Sequence, residues 1–254
     1  MIIVLKKIIF FVAFISSIFL INMNTTFALE NNKISKETYD YIVKNTDPSE
    51  LDATLNKYLN GNFRDEIISQ NSMYATANFS YQLPVPNYRQ ETSYWCGPAN
   101  IKQVLQYVNG SSLSQSTYAS SMGTTSTSGT YVYKMRDELN NRQSRENYVY
   151  SLMGSGGYSF DSFINFHIFA LSKSSPVIYH IRTHTLYMYN GTSLGHYLTG
   201  AGYSHTDIPG STPLRMITYV DTYYADFGRG SVLGTFTAAA ENVYAGLNGR
   251  YLIW

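Results

Sequence analysis

The sequence predicts an α+β domain with an antiparallel sheet, preceded by a leader and a short charged helical segment. Three observations lead there. Helical spacing of apolar residues dominates the stretch that follows residue 95, whereas β-branched and aromatic runs bounded by turn residues dominate the last hundred or so positions. Charge is dense before residue 70 and sparse after it, and of the 18 glycines only Gly61 precedes Gly97. Hydrophobic residues at 44% and 24 tyrosines supply enough buried surface to offset the ordering entropy of a folded domain.

Taken in chain order, residues 1 to 28 read as a cleaved export signal: Lys6 and Lys7, an apolar run over residues 8 to 21, then Thr26-Phe27-Ala28 with small residues at both cleavage positions. The apolar run is shorter than the roughly 20 residues that span a bilayer. The expected location is therefore secreted or extracellular, at the cell wall or beyond it, with no stable membrane association after cleavage. Residues 29 to 78 are expected to be a helical pro-segment or N-terminal extension. A first helix carries Tyr39, Ile42 and Val43 on one side. A second starts at Asp47-Pro48-Ser49-Glu50, carries Leu51, Leu55, Tyr58 and Leu59, and stops at Asn60-Gly61.

Residues 79 to 254 form the main domain in this reading. Pro84 and Pro86 keep residues 81 to 88 extended. Behind Cys96, the residues Ile101, Val104, Leu105 and Val108 recur at helical spacing until Asn109-Gly110 closes the helix. Further helices fit residues 115 to 122, 130 to 140 and 161 to 172, separated by Gly/Ser/Thr loops at 123 to 129 and 154 to 157. Strands fit residues 147 to 152, 176 to 182, 197 to 203, 215 to 221 and 250 to 254. Helices come first and strands last.

Composition excludes several classes of function. A net charge of +1 with only 14% charged residues gives no basic field for a nucleic-acid backbone. One cysteine allows neither an intramolecular disulfide nor a cysteine-rich zinc site. No phosphate-cradling glycine loop is present, and no cofactor is expected.

The lone Cys96 sits where a loop turns into a helix, so its sulfur faces unpaired N–H groups and the positive end of the helix dipole, which favour a thiolate. Gly97 permits close approach, and Pro98 removes an N–H that a first helical turn does not use. Gln90, upstream, is placed to offer its side-chain amide beside the cysteine's own N–H, the two donors an acyl-transfer oxyanion requires. A base is then needed. Among the five histidines, His167 belongs to an aromatic helix and reads as a core residue. His180 and His184 have the spacing of zinc ligands on a helix but lie on a strand-like run. His205 falls in a Ser204-His205-Thr206-Asp207 turn and is expected to be solvated.

His196 has the geometric argument. It opens a glycine-flanked strand, and the next strand ends at Asp221, so antiparallel pairing carries the acid back toward the imidazole. Asp207 and Asp226 are nearby alternatives for the acid, and a buried structural thiol is the alternative for Cys96. The paired tyrosines, Tyr187-Met188-Tyr189 and Tyr223-Tyr224, read as packing residues or as the lining of a groove.

Gln90, Cys96-Gly97-Pro98-Ala99, Gly195-His196-Tyr197, Gly202-Tyr203 and Tyr219-Val220-Asp221 together resemble the signature of the C-thirty-nine-like cysteine peptidases, relatives of bacterial double-glycine leader peptidases. The resemblance covers roughly residues 84 to 224, as short motifs in the right order. It implies a papain-like fold whose helical N-terminal part, with the nucleophile at a helix N-terminus, packs on a C-terminal antiparallel sheet. It also implies Cys96 as nucleophile, His196 as base, Asp221 as orienting acid and Gln90 in the oxyanion hole, acting on a peptide or protein substrate. Two other readings stand beside a peptidase. One is a thiol amidase, deamidase or transacylase working on side-chain or cell-wall amides; the other is a peptide- or glycan-binding module on a degenerate peptidase fold.

Overall fold

The computed structural model describes residues 36–60 and 78–254, so the expected export signal lies outside the described residues. The chain divides into two compact units, one up to Asn62 and one from Phe63 onward.

In the first unit, helix α1 spans Lys36–Asn45 and α2 spans Leu51–Asn60. The Asp47 carboxylate accepts hydrogen bonds from the Ser49 N–H at 2.9 Å and from its hydroxyl at 2.6 Å. That bond pattern makes residues 47 to 50 a capped turn of their own, and the helix proper begins one step later than the Asp-Pro signal suggests. Ile42, Leu51 and Leu55 form one cluster, flanked by Tyr39, Tyr58 and Leu59. These are the stripe residues that the helical periodicity selects.

The second unit opens with strand β1 (Phe79–Gln82), followed by helices α3 (Cys96–Asn109), α4 (Gln115–Met122) and α5 (Val132–Arg142). Then come β2 (Tyr150–Met153), α6 (Phe160–Ser172), β3 (Val177–Arg182), two 3-10 turns at Thr183–Thr185 and Tyr187–Tyr189, β4 (Gly195–Thr206) and β5 (Leu214–Asp221). Strand β6 (Gly234–Ala239), helix α7 (Ala240–Leu247) and β7 (Arg250–Ile253) complete the order. Gly110, at a φ of 73°, ends α3 in the left-handed conformation that a side chain would strain.

The sheet runs β2-β7-β3-β4-β5-β6, and β1 pairs with the far half of β4. Every pairing in it is antiparallel. One face of the sheet, with Ile178, Tyr197 and Ile253, packs against Ile101, Val104, Leu105 and Met135 of α3 and α5. On the other face α6 sets Phe163 against Tyr179 and stacks Phe166 on Trp254 with ring centroids 4.1 Å apart. The expected α+β class is what the chain adopts.

Three elements depart from the sequence expectation. Strand β6 and helix α7 occupy a region that the alternation left unassigned. Gly234-Thr-Phe-Thr-Ala-Ala is an edge strand with no fully buried residue, so it carries no apolar face to signal itself. Strand β4 also runs three residues beyond its expected end. Its extension is covered by β1, in the register Phe79↔His205, so that His205 is buried and hydrogen-bonded to Asp207 at 2.9 Å rather than solvated in a turn.

Candidate active site

Cys96 is the first residue of α3 and is free and half-buried. The glycine behind it has a specific reason to be there: a β-carbon at position 97 would lie 2.3 Å from the Thr130 hydroxyl oxygen. Only the absence of that carbon lets the helix start close onto the loop at Thr130. The helix is bound to β4 by a buried polar chain. Asn100 donates to the carbonyls of Cys96 and Tyr197, each at 2.8 Å, and accepts from the Thr199 hydroxyl at 2.6 Å; Gln103 donates to that hydroxyl at 3.0 Å. These bonds set the register of the cysteine's helix against the strand that carries His196.

The β4–β5 ladder pairs Thr199 with Val220 and shifts register between Gly200 and Gly202. Its end places Asp221 beside His196. The imidazole Nε2 donates to Asp221 Oδ1 at 2.9 Å, and the Cys96 side chain is hydrogen-bonded to the same ring. Asp221 is fully buried and has two further donors, the Tyr189 hydroxyl on Oδ2 at 2.7 Å and the Tyr223 N–H on Oδ1 at 2.9 Å. Burial by itself pushes the His196 imidazole down. The Asp221 charge and the hydrogen bonds to Asp221 and Cys96 outweigh it, and the pKa is raised to about 10.

Gln90 is buried next to this group. Its N–H donates to the Thr222 carbonyl at 2.9 Å, its side-chain oxygen accepts from the Thr222 hydroxyl at 3.3 Å, and its amide nitrogen donates to the Thr92 carbonyl at 2.9 Å. One of its two amide protons is thereby committed. Thus the structure brings Cys96, His196 and Asp221 together and holds Gln90 against the residue that follows Asp221.

A cleft of about 350 Å³ opens over the cysteine. It is lined by Ser93 and Tyr94, by residues 127 to 130, and by His180, residues 194 to 197 and Tyr223. Two of its residues sort the histidines in a way no sequence pattern reveals. His180 stacks on Tyr197 at 4.8 Å, and Arg250 donates to its Nε2 at 2.7 Å. Because a guanidinium only donates, that contact needs a neutral ring with its proton on Nδ1. Burial and the charges of Arg250, Arg182 and His196 hold His180 down to about 3. Two imidazoles line one cleft, and only His196 is set to carry a proton. His184 is exposed in a 3-10 turn, so the pair at 180 and 184 does not lie on a helix.

Tyr189 is the polar partner that sequence reasoning missed. The sequence reads the Tyr187-Met188-Tyr189 run as packing residues or groove lining, and the structure separates its two tyrosines. Tyr187 is exposed under Arg229, whereas Tyr189 is fully buried against Phe227 and Tyr223 with its hydroxyl on Asp221. Nothing local marks that difference.

A thiol, an imidazole bonded to it and a buried carboxylate behind the imidazole can move a proton off sulfur and hold the resulting charges, the requirement of acyl transfer. No curated protein matches the chain. Among solved structures, the peptidase domain of Streptococcus ComA, a bifunctional ABC transporter of a quorum-sensing pathway, is 15% identical, with 66% of this chain and 95% of that one covered and a TM-score of 0.43. Bromelain from Ananas comosus bound to the inhibitor E64 is 13% identical over 69% of this chain and 97% of that one, TM-score 0.46; a recombinant stem bromelain precursor is 13% identical over 69% of each, TM-score 0.46. The family model described as the Peptidase_C39 like family matches residues 82–250, a span that contains the whole cleft and most of the chain, and the protein belongs to that family.

Proposed function

We propose that the protein is an exported papain-like cysteine peptidase of bacterial origin that hydrolyses peptide bonds through an acyl-enzyme. The observation that carries this reading is the unbroken hydrogen-bond path from Cys96 through His196 to a carboxylate held by Tyr189 and the Tyr223 N–H. In the proposed reaction the Cys96 sulfur, its proton held on His196, attacks the substrate carbonyl carbon. The oxyanion is received by N–H groups of the first turn of α3 and by the second amide proton of Gln90. As the C–N bond breaks, His196 returns its proton to the leaving amine, and a thioester remains on Cys96. Water then adds to the thioester carbonyl, giving a proton to His196; the C–S bond breaks, and the acid product leaves. Asp221 keeps the ring oriented and compensates its charge throughout. Residues 1–28 are assigned to export and residues 29–78 to a helical pro-segment or N-terminal extension.

An activity-based thiol probe combined with a mixed peptide library tests the reading. Labelling confined to Cys96, with cut peptides that vanish in Cys96→Ala, is the expected result. Labelling without cut peptides, together with ammonia release from glutamine-containing peptides, would move the assignment to a thiol amidase. A chain beginning at Asn71 should cut at least as fast as one beginning at Leu29; an insoluble shorter chain would make the segment a structural part of the fold instead.

A further inference from the structure

The His180 side of the cleft carries positive charge that no acid among the described residues meets. Arg182 lies across the β3–β4 ladder from Gly195, and Arg250 reaches to 3.9 Å from the place where a β-carbon of Gly195 would sit. The Arg250 guanidinium therefore lies beside a glycine that lines the cleft, and Arg182 is that glycine's partner across the ladder. Among the described residues the ion pairs involving arginine are those of Arg136, Arg142 and Arg215, and neither Arg182 nor Arg250 takes part in one. The single side-chain bond of Arg250 goes to His180, a neutral acceptor, which leaves the rest of its donor fork unused. A carboxylate would supply the counterion that neither guanidinium has among the described residues. Burial and the charge of Arg182 press on the Arg250 guanidinium in the direction of losing its proton, as expected of an uncompensated pair. The residues lining the cleft include no Asp or Glu.

We propose that Arg250 and Arg182 form a carboxylate-binding subsite, reached past Gly195, that selects substrates carrying an acidic side chain or a free C-terminal carboxylate near the bond to be cut. This rests on the peptidase reading for its biological meaning, while the anion preference itself belongs to the site. Gly195 is what makes the subsite reachable, since the missing side chain leaves the space between the cleft and Arg250 open. Arginine suits the task because its planar fork matches the two oxygens of a carboxylate.

The test compares two reagents that alkylate the same sulfur, iodoacetate and iodoacetamide. In both, the C–S bond forms as the C–I bond breaks and iodide leaves; the reagents differ in bearing a carboxylate or a neutral amide. Measured as the ratio of the two second-order rates on the full chain, the preference for iodoacetate should fall by about threefold or more in Arg182→Gln/Arg250→Gln at low salt. The iodoacetamide rate should stay unchanged, and Arg250→Lys should retain most of the ratio. An unchanged ratio in the double variant, or equal slowing of both reagents, overturns the subsite. Peptide sets with internal Glu or Gln, and with a C-terminal acid or amide, then separate the two carboxylate sources. Failure of the peptidase reading shows differently, as iodoacetamide labelling of Cys96 that His196→Ala does not slow.

Discussion

Strand β4 meets one buried histidine at its beginning and another toward its end, and these two take opposite charge states. His196 begins the strand; His167, on α6, donates from Nε2 to the Gly202 carbonyl at 3.0 Å and accepts from the Tyr179 hydroxyl at 2.8 Å. Their exposures are 3% and 0%, so burial does not distinguish them. Burial lowers His167 to about 4, despite the bond to Gly202 that opposes it, whereas His196 is raised to about 10. The partner makes the difference: a carbonyl and a phenol at one end, an ionised carboxylate with two further donors at the other. Removal from water sets the cost of a charge, and only a fixed opposite charge offsets it. His180 extends the lesson. Close to His196 but facing Arg250, it is held neutral.

Deleting the charged member of this comparison has the largest expected effect. His196→Ala should reduce turnover on a cleaved peptide by about 10⁴-fold or more and slow iodoacetamide labelling of Cys96 near neutral pH, as loss of a base does in catalytic units of this kind. His205→Ala, at the far end of the same strand, should leave turnover within about twofold. Equal losses in the two variants would break the assignment of the base.

Turning the charged end into a copy of the neutral one comes next. Asp221→Asn replaces the carboxylate with an amide of the same shape, and kcat should fall by about 10²- to 10⁴-fold with the fold retained, as judged by circular dichroism. Tyr189→Phe is the milder form of that experiment. It removes one donor from a buried carboxylate, a bond worth about 1.5–3 kcal/mol, and should lower kcat by about tenfold with KM little changed. A change in KM alone would mean that Tyr189 shapes the cleft rather than holding Asp221.

The smallest effect is on stability against pH, and its sign differs between the two ends. His167 is a base whose folded pKa is depressed, so the unfolded chain binds more protons between about 6.5 and 4, and stability is lost as pH falls through that window. His196 is raised, so its contribution is complete below about 6.5 and is lost as pH climbs toward 10. Thermal unfolding followed from pH 4 to 10 should show both limbs. Asp221→Asn should flatten the alkaline limb alone, and His167→Gln the acid limb in part, since His180 acts in the same direction.

Sequence by itself determined the features whose causes are local. The start of α3 just ahead of Pro98, its stop at Gly110 and the limits of α4 at Ser114 and Gly123 follow from proline's fit to a first helical turn, from capping and from glycine's conformational freedom, each acting within a turn of chain. Strand alternation and the antiparallel return were also legible, and with them the approach of Asp221 to His196, because a ladder converts sequence order into position. The edge strand β6 was not, since a half-exposed Thr/Phe/Ala run lacks a hydrophobic face. Only the tertiary structure decided which polar atoms meet across long stretches of chain: the Tyr189 hydroxyl on Asp221, the Thr130 hydroxyl against Gly97, Gln90 against Thr222, and Arg250 on His180. Such pairings depend on how side chains fill the space between packed elements, and hydrophobic period and turn chemistry carry no information about that. The charge of each buried histidine is therefore a tertiary property, set by whichever partner folding delivers to an imidazole already removed from water.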